Sequence, residues 1–327
     1  MTAFDAPLNL ARWELHDPTA TLSAFKGRPA LFLSRAGAVL LKEPVPWEAY
    51  TLEADVAAEG NSGYVGFAFG ARDAANFELI YIYPTDGQGG GEVQYEACLN
   101  GSATWQVFQQ PEYRRPGITM TPGEWTHLRV VVRPELAEVY VGGDSAPHLV
   151  VPPLFPGARA PRAGLWGYCP TYVSRFTITR CDTPPAPAPA HPPLPEGVVT
   201  DWEIADRLAP AAPWRRVKAE ANGTLCFNRW FAMDTGYAVA YARATIDSPA
   251  DREATLSVGF SDKLLLTLGG EEVCTGETRW NPPEGDGRIR LDTRCVKVRL
   301  RRGANEILAR VECAEPPFGW GLVLSVS

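Results

Sequence analysis

Most of the signals by which a sequence announces its chemistry are missing from this chain. No Cys-x-x-Cys pair occurs among Cys98, Cys169, Cys181, Cys226, Cys274, Cys295 and Cys313, and an odd count leaves at least one thiol unpaired within a monomer. That pattern argues against a zinc ribbon or a disulfide framework and for reduced, mostly buried thiols. Histidine is scarce, with His16, His127, His148 and His191 widely dispersed. No stretch reaches the roughly 18 consecutive apolar residues of a membrane helix, so no membrane insertion is expected. Residues 1–13 lack the basic start and apolar run of a signal peptide, which predicts a cytoplasmic location with export left open. There is no G-x-S-x-G, no P-loop and no dinucleotide fingerprint. Nor is there a basic excess: 31 Lys plus Arg face 38 Asp plus Glu, a net charge of −7. This excludes a phosphate-tracking surface spread over the molecule, and with it nucleic acid as a partner.

What the chain does have is length, proline and aromatic residues. At 327 residues it exceeds the size at which one core stops growing, so two domains are expected. The boundary falls at residues 183–197, TPPAPAPAHPPLPEG. Proline fixes φ and removes backbone donors so often there that neither helix nor ladder persists, which predicts a stiff, extended spacer. The expected domains are residues 1–182 and 198–327.

Before the spacer, short runs alternate apolar and polar residues: 50–56 (YTLEADV), 63–69, 77–83 (FELIYIY), 92–98, 127–133 (HLRVVVR), 137–141 and 175–179. Period two sends alternate side chains to opposite faces, so each run reads as a half-buried strand. The same grammar returns in 237–246, 253–259, 263–269, 296–300, 306–312 and 322–326. The one helix-like stretch, 201–208, is too short to define a fold. The chain therefore reads as all-β, two antiparallel β-sandwich (jelly-roll) domains joined by a Pro-rich linker.

Residues 10–180 resemble the concanavalin A-like lectin/glucanase superfamily. The resemblance lies in GAVLLKEPVPWEAYTLEADV, GNSGYVGFAF, NFELIYIYP, PGEWTHLRVVVRPELAEVYVGG and AGLWGYCPTYVSRFTIT. The fourth stretch is similar to laminin G-like and 3-keto-disaccharide hydrolase-like domains, in which W-x-x-L (Trp125 and Leu128) feeds one strand and a hairpin leads to the next (Val139, Tyr140). Residues 198–327 resemble a galactose-binding-like jelly roll through VGFSDKLLLTLGGEEV, VRLRRGANEILARVE and GWGLVLSV. In that pattern Ser261 and Asp262 precede a strand, and Gly269, Gly270, Gly303 and Asn305 supply turns. Both resemblances imply carbohydrate as the partner, while the fold alone fixes no activity.

Sugar recognition uses flat aromatic faces beside planar polar groups. Candidates are Gln94, Tyr95, Trp105, Trp166, Tyr168, Trp230, Trp280 and Trp320, with Tyr113, Tyr172, Phe231 and Phe318 in or beside other loops. Glycoside hydrolysis needs paired carboxylates. The glucanase acidic strand motif is matched in part by Glu53 and Asp55, with Glu59 too far along to complete it, and solvent-facing alternation explains both. A hairpin centred near Gly87 would set Glu78 opposite Glu96, with Gln94 on the same face. Adjacent like charges would then raise one pKa and create an acid/base pair. In the hydrolase-like domains a G-x-E-x-Q strand supplies such residues; here Glu78 matches the Glu, and Ile80 stands where the Gln would be.

No cofactor is expected beyond a loop calcium ion, to which Asp86, with glycines nearby, and Asp144, after Gly143, could contribute; no Asp/Asn-rich loop has the complete ligand spacing. Lys297, Arg299 and Arg301 alternate with Val296, Val298 and Leu300, as a solvated sheet face does. The sequence thus favours a carbohydrate-binding protein without a complete catalytic signature. A glycoside hydrolase or 3-keto-glycoside hydrolase using Glu78 and Glu96 is one alternative, and a pair of protein-interaction modules is the other.

Overall fold

The computed structural model describes residues 3–5, 9–85, 90–155, 160–187, 192–206, 213–232, 238–315 and 318–327. Among these, regular structure is strand, apart from single 3-10 turns at Leu10–Arg12 and Phe227–Arg229. The chain is all-β, with antiparallel ladders that curl into sandwiches. It divides into two compact units. The first comprises Met1–Cys98 and Gln110–Ala190, the second Leu99–Gln109 and His191–Ser327.

In the first unit, period two decides which side chains are inside. Along Tyr50–Ala58, Leu52, Ala54 and Val56 are buried while Thr51, Glu53 and Asp55 face outward. The 18-residue strand Ala163–Arg180 serves both layers of the sandwich. Its residues 163–168 pair with 64–69, and its residues 171–180 pair with 50–58 and, in part, with Arg28–Arg35. Register breaks between Tyr168 and Thr171 and between Ser174 and Thr177 accompany Cys169 and Arg175, whose φ values are 59° and 55°. Side chains rarely occupy that left-handed region. Each such bulge bends the strand and re-aims the residues beyond it, which lets one strand change neighbours along its length within one continuous, curled sheet.

The proline-rich segment, expected as a stiff, extended spacer, begins as a strip anchored to the first unit. The buried Arg133 guanidinium donates to the carbonyls of Thr183 (2.7 Å) and Pro184 (3.2 Å), and the Ala186 N–H donates to Glu138 (3.0 Å). Residues 188–191, His191 among them, lie outside the described residues.

In the second unit, the runs expected at 253–259 and 263–269 are one strand, Arg252–Leu268, and Ser261 and Asp262 lie inside it instead of preceding a strand. Its first part pairs with Arg294–Leu300 and Gly321–Val326, its second with Glu271–Thr278 and Gly303–Cys313. The expected helix at 201–208 is a strand, Asp201–Ala205, because Trp202 and Ile204 alternate into the core. Phe227, Phe260, Leu266, Trp320 and Leu322 complete that core.

The segment 99–109 is built into the second unit by its own polar groups. Asn100 Nδ2 donates to the Asn228 carbonyl (2.7 Å), Asn222 Nδ2 to the Val107 carbonyl (3.0 Å) and Gln109 Nε2 to the Ile289 carbonyl (3.1 Å). Gly287 passes so close that an added Cβ would stand 2.4 Å from Gln106 Nε2, at a φ of +66°. Only glycine fits both constraints. All seven cysteines carry free thiols, and Cys98, Cys226, Cys274 and Cys313 are buried. Burial pushes the Cys226 and Cys313 thiols up to about 12, which keeps them protonated and unreactive.

Candidate functional site

The hairpin carrying Glu78 and Glu96 is one residue out of the register read from the sequence. Glu78 pairs with Ala97, and Leu79 with Glu96. Because side chains alternate across a strand, that single step sends the two carboxylates to opposite faces of the sheet. The Glu78–Glu96 acid/base pair therefore does not form. The turn near Gly87, and Asp86 with it, lies outside the described residues.

Glu78 faces the inter-sheet core, where its Oε1 accepts the Phe155 N–H at 2.9 Å. Tyr95 lies on the same side; its hydroxyl accepts the Leu154 N–H at 2.7 Å, and its ring stacks near Phe69 and Tyr113. It is a core residue and not a sugar-facing ring. Gln94 and Glu96 point the other way, with Tyr81 O–H donating to Glu96 at 3.0 Å and Tyr83 O–H to Glu92 at 2.7 Å. Trp166 packs on Tyr81 (5.4 Å) and donates its indole N–H to the Ala36 carbonyl, while Tyr168 sits beside Tyr64 (6.0 Å). Gln94, Glu96 and Trp166 are buried; Tyr168 is the exposed member, at 41%.

The second unit brings Trp105 and Trp280 together edge to face at 5.5 Å, with Phe318 5.5 Å from Trp105 and the Arg288 guanidinium 5.0 Å above it. Beside them two carboxylates share one neighbourhood. Asp262 Oδ2 accepts the N–H groups of Ala314 (2.5 Å) and Glu315 (2.8 Å), and Ser261 O–H donates to its Oδ1 (2.7 Å). Glu315 Oε2 accepts from Trp280 N–H (3.1 Å) and Gln106 Nε2 (3.3 Å). Burial, with the Asp262 charge as a further cause, pushes the Glu315 carboxyl above its ordinary value. Trp320 is a core ring packed on Phe227 at 5.1 Å, and Trp230 is half-buried, 5.7 Å from Arg215.

A raised pKa means that the folded state holds its proton more tightly than the unfolded chain. Stability from Glu315 is thus present at low pH and lost as pH climbs from the ordinary carboxylate value through the folded one. Glu315→Gln removes that loss. Its thermal midpoint is expected to match wild type near pH 4 and to exceed it by roughly 1–3 °C at pH 8, as scanning calorimetry at the two pH values would read.

The open polar face of the first unit lies on the outward side of Thr21–Phe25, Arg28–Arg35, Ala163–Arg180, Tyr50–Ala58 and Thr126–Val132, which adjoin in that order. Cross-strand partners share a face: His127 stands opposite Asp55, and Tyr172 opposite Phe32. Arg28 Nη1 donates to Asp55 Oδ2 at 2.5 Å, and His127 Nδ1 lies 3.2 Å from Asp55 Oδ1. Arg175, re-aimed by its own bulge, brings Nη1 to 3.5 Å from the same carboxylate. On the far side of His127, Nε2 is 3.9 Å from Glu53.

Aromatic rings adjoin this charged group. Phe25 stacks on Tyr172 at 4.3 Å and meets Trp125 edge-on at 5.6 Å; Phe32 lies 5.3 Å from Tyr172, and the Arg28 guanidinium sits 4.8 Å from the Trp125 ring. Tyr172 O–H reaches Glu59 at 3.4 Å, and burial together with that carboxylate raises its pKa, so the hydroxyl remains a donor. None of these rings is fully buried. Glu53, Asp55, Glu59 and Tyr172 were visible in the sequence as separate features. Phe25, Arg28 and Arg175 were not, and His127 stood out only as one of four dispersed histidines, because only the strand order assembles them. Among the described residues, no group of three or more His, Cys, Asp or Glu side chains is placed to hold a metal ion.

No protein-family model and no curated protein matches the chain. Solved structures similar to it include a sialidase, at 12% identity and a TM-score of 0.38, over 55% of this chain and 18% of the sialidase. Carbohydrate-binding module CBM66 from Bacillus subtilis is similar at 15% identity and a TM-score of 0.36, over 51% of this chain and 90% of that module. Sheep galectin-11 is similar at 13% identity and a TM-score of 0.32, over 45% of this chain and 100% of the galectin. The functional reading rests on the residues of the open face itself.

Proposed function

We propose that the chain is a carbohydrate-binding protein that holds a sugar on the outward face of its first unit without hydrolysing it. One observation carries the reading: a partly exposed Phe25–Tyr172 stack adjoins planar polar groups, Arg28, Asp55 and His127, on one sheet face. The ring faces suit the C–H side of a pyranose. Carboxylate, guanidinium and imidazole supply in-plane acceptors and donors for its hydroxyls.

Binding is favoured over turnover by the arrangement of the acids. Hydrolysis needs two carboxyl groups flanking the scissile bond, one of them protonated. Here Glu53 and Asp55 stand side by side on one strand, and both oxygens of Asp55 are engaged by Arg28 and His127.

The test is isothermal titration of the full chain with a panel of neutral oligosaccharides, with reducing-end release assayed on every ligand that binds. Wild type is expected to bind without release. Asp55→Asn should weaken binding about tenfold, the scale of one charged hydrogen bond, by loosening Arg28 and His127. Release of reducing ends by wild type, abolished in Asp55→Asn, would replace the binding reading with catalysis; silence across the panel would end it.

A further inference from the structure

The second unit carries a groove of about 520 Å³, within the roughly 300–1,000 Å³ typical of small-molecule sites. It opens on the outward face of Arg215–Lys218, Asp201–Ala205, Ala238–Ser248 and Gly303–Cys313. Register explains its lining. Glu203 stands between Arg216 on one neighbouring strand and Arg243 on the other, and Thr245 faces Glu306; Lys218, outside the lining, pairs with Asp201 at the groove's edge.

Two rows of polar side chains result. In the first, Arg243 Nε and Arg216 Nε donate to the two oxygens of Glu203 at 2.8 and 3.3 Å. The Trp214 ring lies 4.2 Å from the Arg243 guanidinium, within cation–π range. In the second row, Lys218 Nζ is 3.6 Å from Asp201, whereas neither the exposed Thr245 hydroxyl nor the exposed Glu306 carboxylate has a hydrogen-bond partner among the described residues.

The geometry points to a second glycan site: this groove takes a neutral, hydroxyl-rich ligand, an oligosaccharide. Three carboxylates in the lining oppose an anion, and two guanidinium groups oppose a cation. What a block of alternating planar donors and acceptors does satisfy is a run of neighbouring hydroxyls, each of which both donates and accepts. Glu306 and Thr245 bring unused capacity to the same row. The inference shares its ligand class with the carbohydrate reading of the first unit and is independent of the face at Asp55.

The experiment is isothermal titration of the full chain with neutral tetrasaccharides of glucose, xylose and mannose. Thr245→Tyr fills the groove from an exposed strand position that tolerates an aromatic. Arg243→Met removes the fork and keeps an aliphatic stem on Trp214. Wild type is expected to show two sites, and each variant should lose one of them, or weaken it about tenfold or more. Asp55→Asn reports on the other face separately. Binding that survives Asp55→Asn and disappears in Thr245→Tyr supports the groove even if the first-unit reading fails. Unchanged stoichiometry and affinity in both groove variants overturns the groove and leaves the first face standing, and no heat with any tetrasaccharide overturns both.

Discussion

Replacing Phe25 and Tyr172 together by alanine is expected to weaken oligosaccharide binding about a hundredfold, since each half-buried ring is worth about 1.4 kcal/mol of covered apolar surface. The two rings stack at 4.3 Å, so removing one also frees the other to turn away. Single alanine variants should therefore each lose more than half of the effect, and the double variant less than their sum. Tyr172→Phe separates the ring from its hydroxyl: it keeps the stack, drops the bond to Glu59, and should bind within about threefold of wild type, the scale of a weak exposed hydrogen bond. Titration calorimetry reads the four variants against wild type. Wild-type affinity in the double variant would show that the sugar sits elsewhere, whereas loss of affinity in Tyr172→Phe would assign recognition to the hydroxyl.

The largest effect on stability is expected at Arg133. Its side chain and that of Glu138 are only 7% and 3% exposed, with Nε 2.8 Å from Oε1. Glu138 also accepts from Tyr140 O–H (2.7 Å) and Ala186 N–H (3.0 Å), so the pair joins two adjacent strands to the start of the proline-rich segment. Arg133→Met keeps the stem and strands the carboxylate, which should cost about 3–5 kcal/mol in urea unfolding, as breaking one side of a buried pair does. Burial works to raise the Glu138 carboxyl, but Tyr140, Ala186 and Arg133 together outweigh it and hold the group below the ordinary range. A lowered folded value means that its stabilisation is in place above the unfolded pKa, about 4.3, and disappears as pH falls through the folded one. In Arg133→Met the folded value moves up toward the unfolded one, so that acid-dependent loss should shrink. Arg133→Met combined with Glu138→Leu should recover part of the stability, because no buried charge is then left unpaired.

Much of the strand layout was legible because half-buried strands write their alternation into the sequence. Residues 50–56 read directly as a strand for that reason, within Tyr50–Ala58; residues 77–83 also read as a strand, although Asn76–Tyr83 is buried on both faces. Trp13–Leu15 and Val39–Leu41 did not, being too short to show a period, and Thr21–Phe25 did not because it is almost wholly exposed and has no buried face to alternate with. Register escaped as well: alternation fixes which residues share a face within one strand, but the turn geometry fixes which face of the partner they meet, and one residue separated the Glu78–Glu96 prediction from the Glu78–Ala97 pairing. The site was harder still. Phe25 and Tyr172 touch although 147 positions (172 − 25) separate them, and Arg175 reaches Asp55 from a bulged strand position that alternation alone does not mark. Local patterns record burial, not the neighbours that long-range pairing provides.

The insertion of residues 99–109 into the second unit reaches into how the protein is made. These residues leave the ribosome long before Ser261 and Trp280, the side chains that Gln106 and Trp105 meet. Until Glu315 is synthesised, 209 positions later, Gln106 lacks one of its hydrogen-bond partners. The second unit thus closes only once the whole stretch between them has been made. A gene cut at the proline-rich segment would leave that unit without its Trp105 and Gln106, so the two halves are not cassettes that recombination can exchange at that point.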